Sequence, residues 1–202
     1  MVRIITIGCF IVAGLLSQNE ALAYTTVANP PLSQPCNVAL VIDSSGSIGD
    51  NMNIYQNAFI SFVDALSGKN TQFSVTDFDV MGRVLQPFTT NEDAVKAAIK
   101  RVEAGGGTNW EDGLEKGRST FPVTTERPSL VIFASDGGAN TANGPGTPVS
   151  RAVDVANALK SNNKARILAI GITDNGGPQI INLSAISGPN VDTGDISTSY
   201  YF

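Results

Sequence analysis

The chain reads as an α/β protein, a doubly wound and mostly parallel sheet with one antiparallel edge strand and helices on both faces. Three observations predict this. Two continuous apolar runs, residues 38–42 and 130–134, have the character of strands buried on both faces, as parallel sheets require. Segments of helical period alternate with strand-like runs from Asn37 onward. Two further runs, 72–78 and 82–88, are separated only by a tight turn around Asp79 to Met81. That is too short for a parallel crossover, so the two are expected to pair antiparallel.

The first residues read as an address. Arg3 is the only charge before Glu20, residues 4–16 are mostly apolar, and Ala21-Leu22-Ala23 is a small-x-small site. Residues 1–23 are therefore expected to be a secretory signal peptide cut after Ala23. The apolar run is too short to span a bilayer comfortably, and no other segment is long and apolar enough to predict a transmembrane helix. Residues 24–35 are polar, Pro-rich and aperiodic, an extended leader. Residues 36–202 are then expected to form one domain with a full-sized core.

Within that domain, residues 38–43 predict the first strand. Ile54, Ala58, Phe59, Phe62 and Leu66 place a helix over 53–66. After the hairpin, Thr90-Asn91-Glu92-Asp93 resembles a capping box, followed by a helical face of Val95, Ala98, Ile99 and Val102. Gly105-Gly106-Gly107 breaks the chain, and Trp110, Leu114, Gly117 and Phe121 line a short helix. Residues 129–134 are the second buried strand, 147–159 a helix, 166–172 a strand and 178–187 a helix. A last strand is expected near the C-terminus.

Composition narrows the function. The net charge of −5, with no cluster of Lys or Arg, gives nucleic acid nothing to hold. Histidine is absent, which removes the commonest general base and the usual Ser-His and Cys-His nucleophile pairs. Cys9 leaves with the signal peptide, so Cys36 would be a lone thiol, open to an intermolecular disulfide or to a partner missing from this sequence.

The informative residues are five. Asp43, Ser45 and Ser47 form an Asp-x-Ser-x-Ser run directly after the first buried strand; Thr108 follows the triple glycine; Asp136 follows the second buried strand. All five offer hard oxygen and none offers nitrogen or sulfur, an inventory suited to Mg²⁺ or Mn²⁺. In a doubly wound sheet, ligands bind beyond the carboxyl ends of the strands where strand order reverses. In the order 3-2-1-4-5-6 both aspartates would project there, and the glycines would let Thr108 come in from a third loop. Asp77 and Asp79, beside the hairpin turn, are expected to be solvated or turn-forming. Glu111 and Asp112 suit the N-terminal end of the short helix. Trp110 suits either a contact surface or the core against Leu114.

These residues, with the flanks Val41-Ile42-Asp43-Ser44-Ser45-Gly46-Ser47-Ile48 and Gly106-Gly107-Thr108-Asn109-Trp110, resemble a von Willebrand factor A-type domain and its metal-ion-dependent adhesion site. The resemblance covers nearly everything from Cys36 onward and implies a Rossmann-like fold. It implies that Ser45, Ser47 and Thr108 coordinate the metal by their hydroxyls, with Asp43 and Asp136 acting mainly through water. It also implies an open metal position that takes a carboxylate from a partner protein. Such domains usually end in a helix after the last strand and often pair a cysteine there with one before the first. This chain ends at Tyr200-Tyr201-Phe202, so that helix is expected to be missing.

The function that follows is a secreted, divalent-cation-dependent adhesion module, not an enzyme. The alternatives are a self-associating extracellular-matrix component and a metal-assisted hydrolase. The hydrolase is disfavoured by the missing histidine and by the lack of a base beside the ligands.

Overall fold

The computed structural model describes residues 35–172 and 180–188. The expected signal peptide, nearly all of the leader and the stretch in which the last strand was expected lie outside these residues. Five strands form one sheet: β1 (Asn37–Asp43), β2 (Gln72–Phe78), β3 (Gly82–Thr89), β4 (Ser129–Ser135) and β5 (Ala165–Gly171). Their order is β3-β2-β1-β4-β5, as expected for the part described. β1 is parallel to β2 and β4, and β4 is parallel to β5; only the β2–β3 edge pair is antiparallel. Pro87 cannot donate to a ladder, and it sits in that edge strand, where the register shifts between Phe73 and Val75.

β1 is buried at every position, because helices cover both faces. Val38, Leu40 and Ile42 face one core, built with Tyr55, Phe59 and Val63 of α1 (Met52–Ala65) and Val95 and Ile99 of α2 (Glu92–Ile99). Ala39 and Val41 face the other, built with Trp110 and Leu114 of α3 (Trp110–Ser119) and Ala152, Ala156 and Leu159 of α4 (Pro148–Asn162). The alternation is the period of two of a strand, read on both sides. A short helix, α5 (Ile180–Ile186), adds Leu183 and Ile186 to the second core.

Helix α3 lies unusually close to the sheet, and its glycines are the reason. A Cβ at Gly113 would stand 2.5 Å from Phe78 Cδ1, and one at Gly117 would stand 2.7 Å from Val41 Cγ2. This draws the N-terminal end of α3, with Trp110, against the strand ends. Trp110 is fully buried and meets the Phe133 ring edge-on, so it belongs to the core and not to a contact surface.

Two local expectations change. The cap of α2 is Asn91, whose side chain accepts from Ala94 N at 3.1 Å, and not Thr90. Thr89 Oγ1 accepts from Asn91 N and fixes the entry one residue later than the sequence pattern suggested. Asp77 is not solvated: it is 2% exposed, because the strand-end position points it inward to a forked pair with Arg83. Cys36 is 1% exposed and disulfide-bonded. Among the described residues no helix is long and apolar enough to cross a membrane.

Candidate metal centre

The loops that leave β1 and β4 meet at the switch point of the sheet, where the chain turns to opposite sides after neighbouring strands. Asp43 is the last residue of β1 and Asp136 follows the last residue of β4. From Asp43 the chain passes through Ser45, in extended conformation, into a 3-10 helix, Gly46–Asn51. The Ser45 side chain makes no capping bond to that helix. Its Oγ lies instead 3.1 Å from Ser47 Oγ, and Ser47 Oγ donates to Asp136 Oδ1 at 3.0 Å. Asp43 Oδ1 accepts from Ser45 N at 2.8 Å. Four of the five expected residues thus form one hydrogen-bonded chain spanning two loops.

Thr108 reaches the same place by its backbone. Gly105 N donates to Ser44 O at 2.8 Å, and Gly46 N donates to Gly106 O at 3.2 Å, stitching the glycine loop to the Asp-x-Ser loop. Gly106 adopts φ +69°, where a side chain would be strained, and its missing Cβ also leaves room for Asp79 and Val80. Thr108 N donates to Asn140 Oδ1, and Thr108 O accepts from Asn140 N and Thr141 N, which ties in the loop after β4. The Thr108 hydroxyl takes no part in the Asp43–Ser45–Ser47–Asp136 chain, so its lone pairs stay available.

The electrostatics favour a cation. Burial pushes the Asp43 carboxyl up to about 6, against the opposing hydrogen bonds from Ser135 and Ser45, and the charge of Asp136 adds to the rise. Asp43 is fully buried, and among the described residues no Lys or Arg forms an ion pair with it or with Asp136. A buried carboxylate without a cationic partner is costly, and a dication would remove that cost. Among the described residues no three Cys, Asp or Glu side chains converge on one point. A cation here would therefore rest on hydroxyls plus two carboxylates, which suits a hard ion.

Two contributors escaped the sequence reading, and a third was read only as a charge at the start of the short helix. Ser135 Oγ donates to Asp43 Oδ2 and accepts from Trp110 Nε1 at 3.1 Å, so a core tryptophan orients the carboxylate through a serine. A hydroxyl closing an otherwise apolar strand was the available signal. Asn140 locks Thr108, and no pattern marked it within its polar loop. Glu111 is buried and pairs with Arg151 while accepting from Asn143 N at 2.8 Å, so it anchors the loop after β4 as well as opening α3.

Comparison with known proteins agrees with this architecture. A protein of Synechocystis sp. (strain ATCC 27184 / PCC 6803 / Kazusa), described as uncharacterized protein sll0103, is 30% identical over 107 residues, 51% of this chain and 25% of its own length. The chain thus spans about a quarter of that relative. The vWF domain of the type V pili tip protein Mfa5 from Porphyromonas gingivalis superposes with TM-score 0.63 at 14% identity, covering 84% of this chain and 90% of that one. Proximal thread matrix protein 1 from the mussel byssus, solved with a zinc-occupied MIDAS motif, gives TM-score 0.64 at 23% identity, covering 84% and 42%. At these identities the two structures speak for the fold. Residues 37–196 match the von Willebrand factor type A domain family, and to that family this chain belongs.

Proposed function

We propose that this domain is a secreted, divalent-cation-dependent protein-binding module. The observation that carries the reading is the hydrogen-bonded chain Asp43–Ser45–Ser47–Asp136, laid across two loops at the switch point, with the backbone of Thr108 tied to the loop after β4. Ser45, Ser47 and Thr108 would hold Mg²⁺ or Mn²⁺ by their hydroxyls, with Asp43 and Asp136 supplying negative charge, mainly through water. Bound there, the ion offers an electrophilic position to a carboxylate of a partner protein. Weakly donating hydroxyls leave that electrophilicity largely intact, while the buried Asp43 keeps the ion from leaving. The pilus-tip and byssus proteins that share the fold lend support to an extracellular, adhesive setting.

The test is a calorimetric titration of the domain with Mn²⁺ and Mg²⁺, paired with capture of extracellular proteins in the presence and absence of EDTA. One ion per chain and EDTA-sensitive capture are expected. No heat of binding from either ion, or capture indifferent to EDTA, would discard the proposal.

A further inference from the structure

Next to the proposed metal site lies a second polar cluster that none of the five residues uses. Arg83 of β3 donates from Nε to Asp77 Oδ1 at 3.0 Å and from Nη2 to Asp77 Oδ2 at 2.7 Å. Its Nη1 donates to Asp79 Oδ2 at 2.7 Å, and Nη2 also reaches Ser44 Oγ at 3.3 Å. Ser44 is the residue between Asp43 and Ser45, fully buried, and its Oγ lies 3.5 Å from Asp77 Oδ2 as a donor. Its backbone is equally committed: N donates to Phe78 O at 2.8 Å and O accepts from Gly105 N. Asp79, held by the same guanidinium, accepts at its backbone O from Asn109 N at 2.8 Å, one residue after Thr108. One side chain on the edge strand therefore bonds to the Asp-x-Ser loop directly, at Ser44, and reaches the residue after Thr108 through Asp79.

We infer that Arg83 is a positioning residue for the metal site, acting through Ser44 on Asp43 and Ser45 and through Asp79 on Thr108. This rests on the metal-binding reading above and adds a determinant outside the five residues. A planar fork suits the role, because two parallel hydrogen bonds fix Asp77 in orientation as well as in distance. The sign of the effect separates positioning from simple electrostatics. A guanidinium beside a dication repels it, so removing the charge through space alone would tighten metal binding. Loss of positioning weakens it.

The experiment measures Mn²⁺ affinity by calorimetry for the wild type, Arg83→Lys, Arg83→Gln, Ser44→Ala and the Ser44→Ala/Arg83→Gln double variant, with metal-free melting curves alongside. Arg83→Lys keeps the charge and loses the fork, and about a tenfold weakening is expected, as for residues that orient metal ligands. Ser44→Ala removes only the hydroxyl link and keeps a variant in hand should Arg83→Gln strand Asp77 and unfold. The double variant is expected to bind within about twofold of Arg83→Gln, since the two changes break one connection and are not additive. Unchanged affinity in Arg83→Lys, tighter binding in Arg83→Gln, or losses that multiply in the double variant would each overturn the inference. A wild type that binds no Mn²⁺ would instead bring down the metal reading itself, and this one with it.

Discussion

Asp43 and Asp136 leave neighbouring parallel strands at the same edge of the sheet, and both follow a run of buried apolar residues. Their surroundings differ sharply. Asp43 is sealed, oriented by Ser135 Oγ and Ser45 N, with its carboxyl pushed up to about 6 by burial. Asp136 is half-buried and meets the network only through Ser47 Oγ. The lesson is that two aspartates with one sequence signature divide the work. One is a charge built into the frame, and the other, on the proposed reading, closes the site from the solvent side.

The largest effect should come from Asp43→Ala. At metal concentrations near 100 times the dissociation constant, wild type should gain about 2.7 kcal/mol of stability from binding, and the variant should gain none. Melting curves with and without Mg²⁺, together with metal content, check this; an equal shift in both proteins would remove Asp43 from the site.

Ser135→Ala should come next, and it tests the frame itself. It leaves the Asp43 carboxylate and Trp110 Nε1 each short of a partner, a loss of about 1–3 kcal/mol in the metal-free protein. Chemical denaturation reads it directly. A neutral result would mean that Trp110 and Ser135 pack beside Asp43 without orienting it.

Asp136→Ala should separate the two aspartates most cleanly. Metal affinity should fall about tenfold, while metal-free stability should stay within about 0.5 kcal/mol, as for other half-exposed polar positions. If the metal-free domain instead loses as much stability as Ser135→Ala does, the division between frame and closure does not hold. Thr108→Ala should show the smallest change, a weaker Mn²⁺ affinity in calorimetry with the metal-free melting temperature unmoved.

Much of this was legible before any coordinates. Continuous apolar runs such as 38–42 can only be buried on both faces, so the parallel sheet follows from hydrophobic period. The strand-end position of Asp43 and Asp136 follows from where those runs stop. The hairpin follows from a turn too short for a crossover. Other features were hidden because they depend on how side chains and segments come together in space. Asp77 read as a solvated turn residue because nothing local announces that Arg83, six residues on, folds back over it. Trp110 could not be assigned until Gly113 and Gly117 brought α3 down onto Phe78 and Val41.

By itself, then, the sequence determined the order of strands and helices, the oxygen-only character of the site and the positions at which those oxygens appear. These are local quantities, set by periodicity and residue type. Only the tertiary structure decided which oxygens bond to one another, which aspartate is sealed from water, and that Ser135, Asn140 and Arg83 hold the loops in place. Several of those outcomes depend on contacts far apart along the chain, such as Thr108 to Asn140 across 32 residues and Ser135 to Asp43 across 92. Burial and its effect on charge arise only once such segments pack together and exclude water.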